Sequence, residues 1–565
     1  MLEQAKNPDF WEKVRGCENY QIFRDDLLAM YEKVHRDSTP AVSFRAYKLF
    51  YETGDRMNFE TGYFSKRIRM NILALLALIY PDEPKYLTEL GEVIWAVCDE
   101  YTWALPAHVP YETWDHSTFI DLFSSETGFA LSEIRELLGD RLEPLLRRRI
   151  GAEIERRIIA PFLDRRFWWE TAASNWCAVC TCGVAAAFFY IRPDLADTQI
   201  PRFQENLEHF FQSFQPDGVC REGMGYWNYG FGFFVSYASM LKEFTGGKMD
   251  LFRDDRVRRI ASFQHKAYLR DDIAASFADG AIRNRHILGL THFLKHTYPE
   301  DVQVLPTGFR DNRPITVADV SFRARWTFEL RSLLWFDPAL STEESETNAA
   351  YYLADSAWYI KKTPLYSFAA KAGDNAEPHN HNDVGNFILA TGQGQLLCDL
   401  GAGEYTKAYF QEDTRYRILC NRSGGHSVPV VDGQEQKAGP DYRGLMSWQD
   451  GVLSIEMAGA YDVPELSSLR RQFTFGEDRI SLQDNFSFQG TALPVIERFI
   501  TQTCPEEEGR KLRIGKALLD CGENWAPAVT AAEWANHIGA VETVYLIDFI
   551  AKKPNDEFCM TIVMD

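Results

Sequence analysis

The sequence predicts a multidomain α+β fold, with a helical first part and an antiparallel β-sandwich after it. Residues from about 8 to 335 carry apolar residues at helical spacing, and Pro and Gly turns separate the segments. From residue 350 onward, short alternating runs lie between Gly, Asn and Asp. A chain of 565 residues is also too long for one core. We therefore expect domains at 1–338 and 339–565, with a linker between Asp337 and Thr347.

The first part reads as a ring or solenoid of helix pairs, because short turns connect helix after helix. Segment 70–79 is apolar nearly all round, which predicts a helix buried on most sides. Further helices are predicted at 86–101, 119–138, 175–190 and 200–214.

The second part reads as strands of antiparallel sheets. The clearest runs are 357–360, 365–369, 428–431, 452–456, 472–475 and 560–563.

The charge balance argues against nucleic-acid binding. There are 60 Lys and Arg against 81 Asp and Glu, a net charge of −21, whereas nucleic-acid binding draws its affinity from Lys and Arg. A local basic cleft can still bind a small polyanion. The aromatic content of 14% suits a sugar-binding cleft as well as a large core.

The chain lacks the long apolar run of a membrane helix and the basic, apolar start of a signal peptide. We expect a cytoplasmic protein without a membrane partner if the chain is full length, and a periplasmic or secreted one if a signal was removed. Eleven cysteines without small-domain spacing favour reduced thiols. The oligomeric state stays open.

The most informative segment is His379-Asn-His-Asn-Asp-Val-Gly-Asn386. As an extended strand it would place His379, His381 and Asp383 on one face, because strand side chains alternate. Runs 387–390 and 396–399, with Gly392-Gln-Gly394 between them, predict a hairpin directly after it.

These features together resemble the heparinase II/III-like polysaccharide lyases. Besides the His-x-His-x-Asp segment, the supporting stretches are Trp103-Ala-Leu-Pro-Ala-His108, Ile120-Asp-Leu-Phe123, Asn175-Trp176 after Phe167-Trp-Trp169, Asp217-Gly-Val-Cys-Arg-Glu-Gly-Met-Gly-Tyr-Trp-Asn-Tyr229 and His426-Ser-Val-Pro-Val-Val-Asp-Gly433. Ser427 and Val428 depart from the common pair of that family. The resemblance implies an incomplete (α/α) toroid joined to an antiparallel β-sandwich.

The resemblance also implies β-elimination on a uronic-acid polysaccharide or oligosaccharide, such as heparin, heparan sulfate, chondroitin or hyaluronan. The substrate carboxylate must then be neutralised, and an acid/base must exchange protons with C5 and the leaving oxygen. Asn175 fits neutralisation, although it also reads as a helix N-cap. Tyr226 fits the acid/base, with Tyr229 as the alternative. His379 would assist neutralisation or take the proton.

A metal site is implied at His381, Asp399 and His426. This set suits Zn²⁺, with Mn or Ca as other options, in a structural role. Asp383 would then orient a histidine ring.

Further substrate contacts are expected from residues that stack on sugars, bind acidic groups or orient a partner, namely His108, Trp169, Arg221, Glu222, Tyr229, Tyr405 and Arg417. Glu222 reads equally well as a salt-bridged carboxylate.

Other functions fit parts of the sequence. An alginate or oligouronate lyase would use the same groups. An (α/α) toroid glycoside hydrolase would draw a carboxylate pair from Glu170, Glu222 and Asp217. A non-catalytic carbohydrate-binding protein would use the sheet and an aromatic groove.

Overall fold

The computed structural model describes residues 1–35, 40–284, 286–305, 323–342, 347–552 and 556–565. The first part of the chain is helical. Its α-helices are Glu3–Lys6, Pro8–Gly16, Gln21–His35, Phe44–Thr53, Met57–Ile79, Pro84–Cys98, Leu122–Leu138, Pro144–Ile154, Ala160–Asp164, Asn175–Ile191, Pro193–Phe211, Met224–Tyr226, Gly232–Phe244, Asp255–Ala261, Phe263–Ala267, Leu288–Thr297 and Trp326–Leu334. Two π-helical turns, Glu155–Ile159 and Trp227–Phe231, are continuous with their neighbours.

Successive helices pack in pairs, as the short turns predict. Met57–Ile79 packs on Pro84–Cys98, and Asn175–Ile191 packs on both Leu122–Leu138 and Pro193–Phe211. Helix Asn175–Ile191 is buried along nearly its whole length, because its sequence is apolar on every side. It forms the centre of the helical core.

The predicted helices are present, with shifted ends. Asp121 caps Leu122–Leu138 by accepting from Ser124 N, so the helix starts three residues later than its apolar pattern. Helix Pro193–Phe211 starts seven residues earlier than predicted, because a proline is tolerated at the first helical position. It also continues through Pro201.

The second part contains three antiparallel sheets among the described residues. In spatial order, the first has Ala349–Leu353, Trp358–Lys362, Ser367–Lys371, Phe387–Thr391 and Gly394–Leu397. The second has Glu506–Glu508, Lys511–Ile514, Ala517–Asp520, Glu557–Met564, Arg479–Phe488, Leu466–Phe475, Val452–Glu456, Gly439–Gln449 and Gly373–Asn375. The third has Trp525–Ala535, Val541–Ala551, Val495–Thr501 and Val430–Val431.

The three sheets share one aromatic core. The ring of Phe387 in the first sheet lies 5.1 Å from Phe473 in the second and 5.3 Å from Phe499 in the third. The predicted hairpin is confirmed, with Thr391 paired to Gly394. The predicted strand over 379–386 is wrong. His379 has φ 55° and the segment turns, so the strand begins only at Phe387.

Hydrogen bonds connect the helical part to the sheets. Asp217 accepts from Ser356 N at 2.8 Å and from Ser356 Oγ at 2.7 Å. Ser276 Oγ donates to the carbonyl of Asp399 at 2.9 Å. Residues 343–346 of the predicted linker lie outside the described residues. The domain boundary at residue 338 stays a prediction, between the helix that ends at Leu334 and the strand that begins at Ala349.

Candidate active site

Asp279 lies at the centre of a cluster that the sequence did not indicate. Its Oδ2 accepts from His379 Nδ1 at 2.6 Å and from the Tyr405 hydroxyl at 2.7 Å. Its Oδ1 lies 3.1 Å from His381 Nε2 and accepts from the Tyr409 hydroxyl. Burial alone would raise the pKa of Asp279, but hydrogen bonds and charges from both histidines outweigh it and hold the pKa well below its usual value. We call these five residues the Asp279 cluster.

His379 extends the cluster towards the helical part. Its Nε2 lies 3.4 Å from Glu222 Oε2, which also accepts from Asn175 Nδ2 at 3.1 Å. Burial raises the pKa of Glu222 despite the opposing effects of His379 and Asn175. Burial opposes the charged form of His379, but Asp279 and then Glu222 raise its pKa. The amide and the imidazole therefore converge on one carboxyl oxygen.

Asn175 is held there by its own helix and by a close neighbour. Ser174 occupies the N-cap position without a side-chain cap, and Asn175 is the first helical residue. The amide of Asn175 donates to Glu222. A Cβ on Gly230 would lie 3.0 Å from Asn175 Cβ. Gly230 belongs to the π-helical turn Trp227–Phe231 and allows this approach.

Tyr226 covers the same site from the helical part. Its ring stacks on His379 with 4.5 Å between centroids, and its hydroxyl lies 2.8 Å from that of Tyr405. The Tyr405 hydroxyl already donates to Asp279, so its oxygen accepts a hydrogen bond from the Tyr226 hydroxyl. Burial, followed by Asp279 and Glu222, raises the pKa of Tyr226.

His381, Asp399 and His426 come together in the β part. Their ligand atoms lie within 4.8 Å of one another, and all three side chains are buried. His426 Nε2 donates to the carbonyl of Cys420 at 2.8 Å, so its Nδ1 lone pair faces Asp399 Oδ2 at 3.3 Å. His381 Nδ1 is buried and lacks a hydrogen-bond partner among the described residues. Asn386 Nδ2 donates to Asp399 Oδ2 at 2.7 Å, and the remaining lone pairs of two ring nitrogens and a carboxylate fit a divalent cation.

Asp383 does not orient a histidine. It accepts from Lys371 Nζ at 2.8 Å, and Lys371 also lies 3.4 Å from Glu377. Glu377 in turn lies 3.5 Å from Arg221, so the predicted substrate contact Arg221 forms an ion pair between the two parts of the chain.

Tyr229 and His108 each contact a carboxylate of the helical part, and their predicted substrate contacts stay predictions. The Tyr229 hydroxyl donates to Glu126 at 2.5 Å. His108 lies 2.8 Å from Asp121 and packs edge-on to Trp176, with 4.7 Å between the ring centroids. Trp176 follows Asn175, which places His108 along one side of the site.

Of two further predicted substrate contacts, Trp169 needs correction and Arg417 stays a prediction. Trp169 is buried in the helical core and donates to the carbonyl of Ile120 at 2.9 Å, so its ring is out of reach of a sugar. Arg417 is exposed, and nearby Arg415 lies 4.0 Å from Asp279. Arg415 also donates to the carbonyls of Asn380 and Tyr409.

The carboxylates proposed for hydrolysis are not a pair. Glu170 accepts from Arg202 at 2.7 Å and from Phe167 N. Asp217 is bonded to Ser356. Of the three, Glu222 is the one that contacts Asn175 and His379.

This architecture matches solved polysaccharide lyases over nearly the whole chain. The chain is similar to heparinase III, with a TM-score of 0.63 and 12% identity over 99% of this chain and 93% of that one. The chain has a heparinase-like polysaccharide lyase fold. It is also similar to a heparan sulfate lyase mutant from Pedobacter heparinus, with a TM-score of 0.59 and 12% identity over 98% of this chain and 90% of that one. A chondroitin AC lyase from Streptomyces coelicolor A3, in complex with chondroitin sulphate, matches with a TM-score of 0.54 and 11% identity over 99% and 82% of the two chains.

The heparinase-like fold confirms the predicted toroid and β-sandwich. No protein-family model and no curated protein matches the sequence. Within the described residues, none of the helices combines the length and apolar character needed to span a bilayer.

Proposed function

We propose that this protein cleaves a uronic-acid polysaccharide or oligosaccharide by β-elimination, leaving a 4,5-unsaturated uronate. Glycosaminoglycans are the first substrates to test, since the similar solved structures are heparan sulfate and chondroitin lyases. The observation that carries the proposal is the convergence of Asn175, His379 and Tyr226 from two parts of the chain around Glu222.

Asn175 and His379 neutralise the substrate carboxylate in this proposal. Both already face one carboxyl oxygen of Glu222, which marks where an oxygen of the substrate can bind. Because the pKa of Glu222 is raised by burial, this side chain can take up a proton and donate to the incoming carboxylate. Fixed donors in a site that excludes water stabilise the charge that develops after C5 loses its proton.

Tyr226 acts as the acid/base. Its raised pKa keeps the phenol protonated in the resting protein. Held by its contact with Tyr405, its hydroxyl can give its proton to the departing O4 while its oxygen takes the proton from C5, so the phenol is regenerated. The C4–O4 bond breaks as the C4–C5 double bond forms. The elimination mechanism gives the amide, the imidazole and the phenol each a task, whereas hydrolysis needs a carboxylate pair.

His381, Asp399 and His426 hold a divalent metal in this proposal, with Zn²⁺ the best match to two imidazoles and a carboxylate. The metal would supply a structural cross-link between the segments that carry His381 and His426. The proton transfers belong to Tyr226 and its neighbours.

The test is a panel of heparin, heparan sulfate, chondroitin, hyaluronan, alginate and short oligouronates, followed by ultraviolet absorbance of the conjugated uronate. The expected result is a rise in absorbance on at least one polymer. A rise on alginate alone would shift the substrate class and keep the reaction. Growth of reducing ends without absorbance would indicate hydrolysis, and binding without turnover would indicate a carbohydrate-binding protein.

A further inference from the structure

We infer that Asp279 is a positioning residue that couples the imidazole facing the substrate carboxylate to the metal ligands, with Oδ2 holding His379 and Oδ1 holding His381. This inference rests on the proposed function and the proposed metal set. One carboxylate from the helical part of the chain then orients two imidazoles: His379, which faces the substrate position, and His381, which belongs to the metal set.

The contacts of Asp279 divide between its two oxygens. Oδ2 accepts from His379 Nδ1 at 2.6 Å and from Tyr405 at 2.7 Å. Oδ1 accepts from the Tyr409 hydroxyl and lies 3.1 Å from His381 Nε2. A carboxylate only accepts, so each histidine carries a proton on the nitrogen that faces Asp279.

This protonation pattern fixes what the opposite ring nitrogens do. In His379, Nε2 is turned to Glu222 and the substrate position. In His381, Nδ1 keeps its lone pair, and the described residues offer it no hydrogen-bond partner. A carboxylate behind a ligating histidine fixes the ring and its tautomer, and its loss weakens metal affinity about 10- to 100-fold.

The loop that carries Asp279 is wedged between the two parts of the chain. On one side, a Cβ at Gly223 would lie 3.1 Å from Gly280 Cα. On the other, a Cβ at Gly401 would lie 1.7 Å from the carbonyl oxygen of Gly280. The four other members of the Asp279 cluster lie between residues 379 and 409, so the carboxylate crosses from the helical part into the β part.

The test compares Asp279→Asn with Asp217→Asn. Asp217 also links the two parts of the chain, through Ser356, but touches neither histidine. Metal per chain, metal affinity, kcat, KM and melting temperature are measured on each full-length protein after incubation with Zn²⁺. The amide that replaces the carboxylate in Asp279→Asn has one acceptor oxygen, so it can accept a hydrogen bond from only one of the two imidazoles.

For Asp279→Asn we expect metal affinity to fall about 10- to 100-fold and kcat to fall with little change in KM. For Asp217→Asn we expect wild-type metal affinity and kcat. Wild-type metal affinity and kcat in Asp279→Asn would overturn the inference. If Asp279→Asn does not fold, Asp279→Glu replaces it, since it keeps the charge and moves the carboxylate by one methylene. The same losses support the inference, and wild-type values overturn it.

The two proposals fail separately. If the wild type eliminates none of the tested polymers, the proposed function is wrong, while the metal affinities of the two variants still decide the role of Asp279 at His381. If the wild type eliminates but binds no metal, the coupling is wrong and the lyase function stands.

Discussion

Glu222 and Tyr226 show how burial sets the chemistry of the site. For each, desolvation is the largest influence on the pKa and raises it. The neighbouring dipole of Asn175 and charge of His379 oppose this at Glu222 and do not cancel it. Both groups therefore hold protons more readily than in water, which suits a site that must receive a carboxylate and protonate a leaving oxygen.

Tyr226→Phe should remove the acid/base and keep the fold. The ring still stacks on His379, and the lost hydroxyl bonds to a partly buried hydroxyl of Tyr405. We expect kcat to fall about 10²- to 10⁴-fold, with KM and melting temperature nearly unchanged. Rates come from the absorbance assay. Tyr229→Phe is the matched control, because its hydroxyl bonds to Glu126. A large loss in Tyr229→Phe with full turnover in Tyr226→Phe would transfer the role to Tyr229.

The free energy of unfolding should depend on pH through the buried carboxyl group of Glu126. Burial raises the pKa of Glu126 to about 7 from 4.5, against the opposing effects of Arg325 and Tyr229. Between these values the folded protein holds a proton that the unfolded chain releases, so the free energy of unfolding falls as pH rises through this window, by at most about 3 kcal/mol. In Glu126→Gln this contribution is absent. Denaturant unfolding of both proteins below and above the window measures it, and parallel profiles would contradict the shift.

The 379–386 segment carries its chemistry as a turn and not as a strand. The left-handed φ of His379 and the contact of Asp383 with Lys371 send the three polar side chains in different directions. As a result His379 and His381 reach both oxygens of Asp279. Arg471 supports this arrangement from the sandwich core. It donates to the carbonyls of Gly385 at 3.0 Å and Ser427 at 2.7 Å.

Gly401→Ala should displace the loop that carries Asp279. The added Cβ would lie 1.7 Å from a backbone oxygen of Gly280, so the backbone must move. Gly433→Ala is the matched control, since its φ of +70° resembles the +64° of Gly401 and its Cβ would meet nothing within 4 Å. We expect Gly433→Ala to lower the free energy of unfolding by about 1–2 kcal/mol. Gly401→Ala should lower it further and reduce turnover. Equal losses in both would contradict a close contact.

The sequence predicts much of the site and misses its centre for a physical reason. Helical and alternating periodicity are local, so the helices and the hairpin follow from neighbouring residues. The resemblance to the lyase family indicates His381, Asp399 and His426 as a ligand set, and the structure brings these residues together. Asp279 has no local partner, because its contacts lie 100 to 130 residues away. The available signal in the sequence is a single carboxylate that ends the mostly apolar run 273–278.

Metal binding should stabilise the protein as a unit, because a ligand bound only by the folded state adds to the free energy of unfolding. His381→Ala should lower both metal content and melting temperature, and a chelator should lower the melting temperature of the wild type but not of this variant. His35→Ala is the control, an exposed histidine paired with Glu89 in the helical part. Wild-type protein without metal and unaffected by the chelator would show that the ligand set is wrong.

The two parts of the chain make one site, since Asn175, Tyr226 and Asp279 come from the helical part and His379 and Tyr405 from the β part. The most direct measurement is the mass of the fragment that carries the new non-reducing end, after wild-type protein has cut a uronate polymer. Elimination gives a fragment one water lighter than the hydrolysis product, and we expect that lighter mass. The heavier mass would contradict β-elimination at Asn175, His379 and Tyr226.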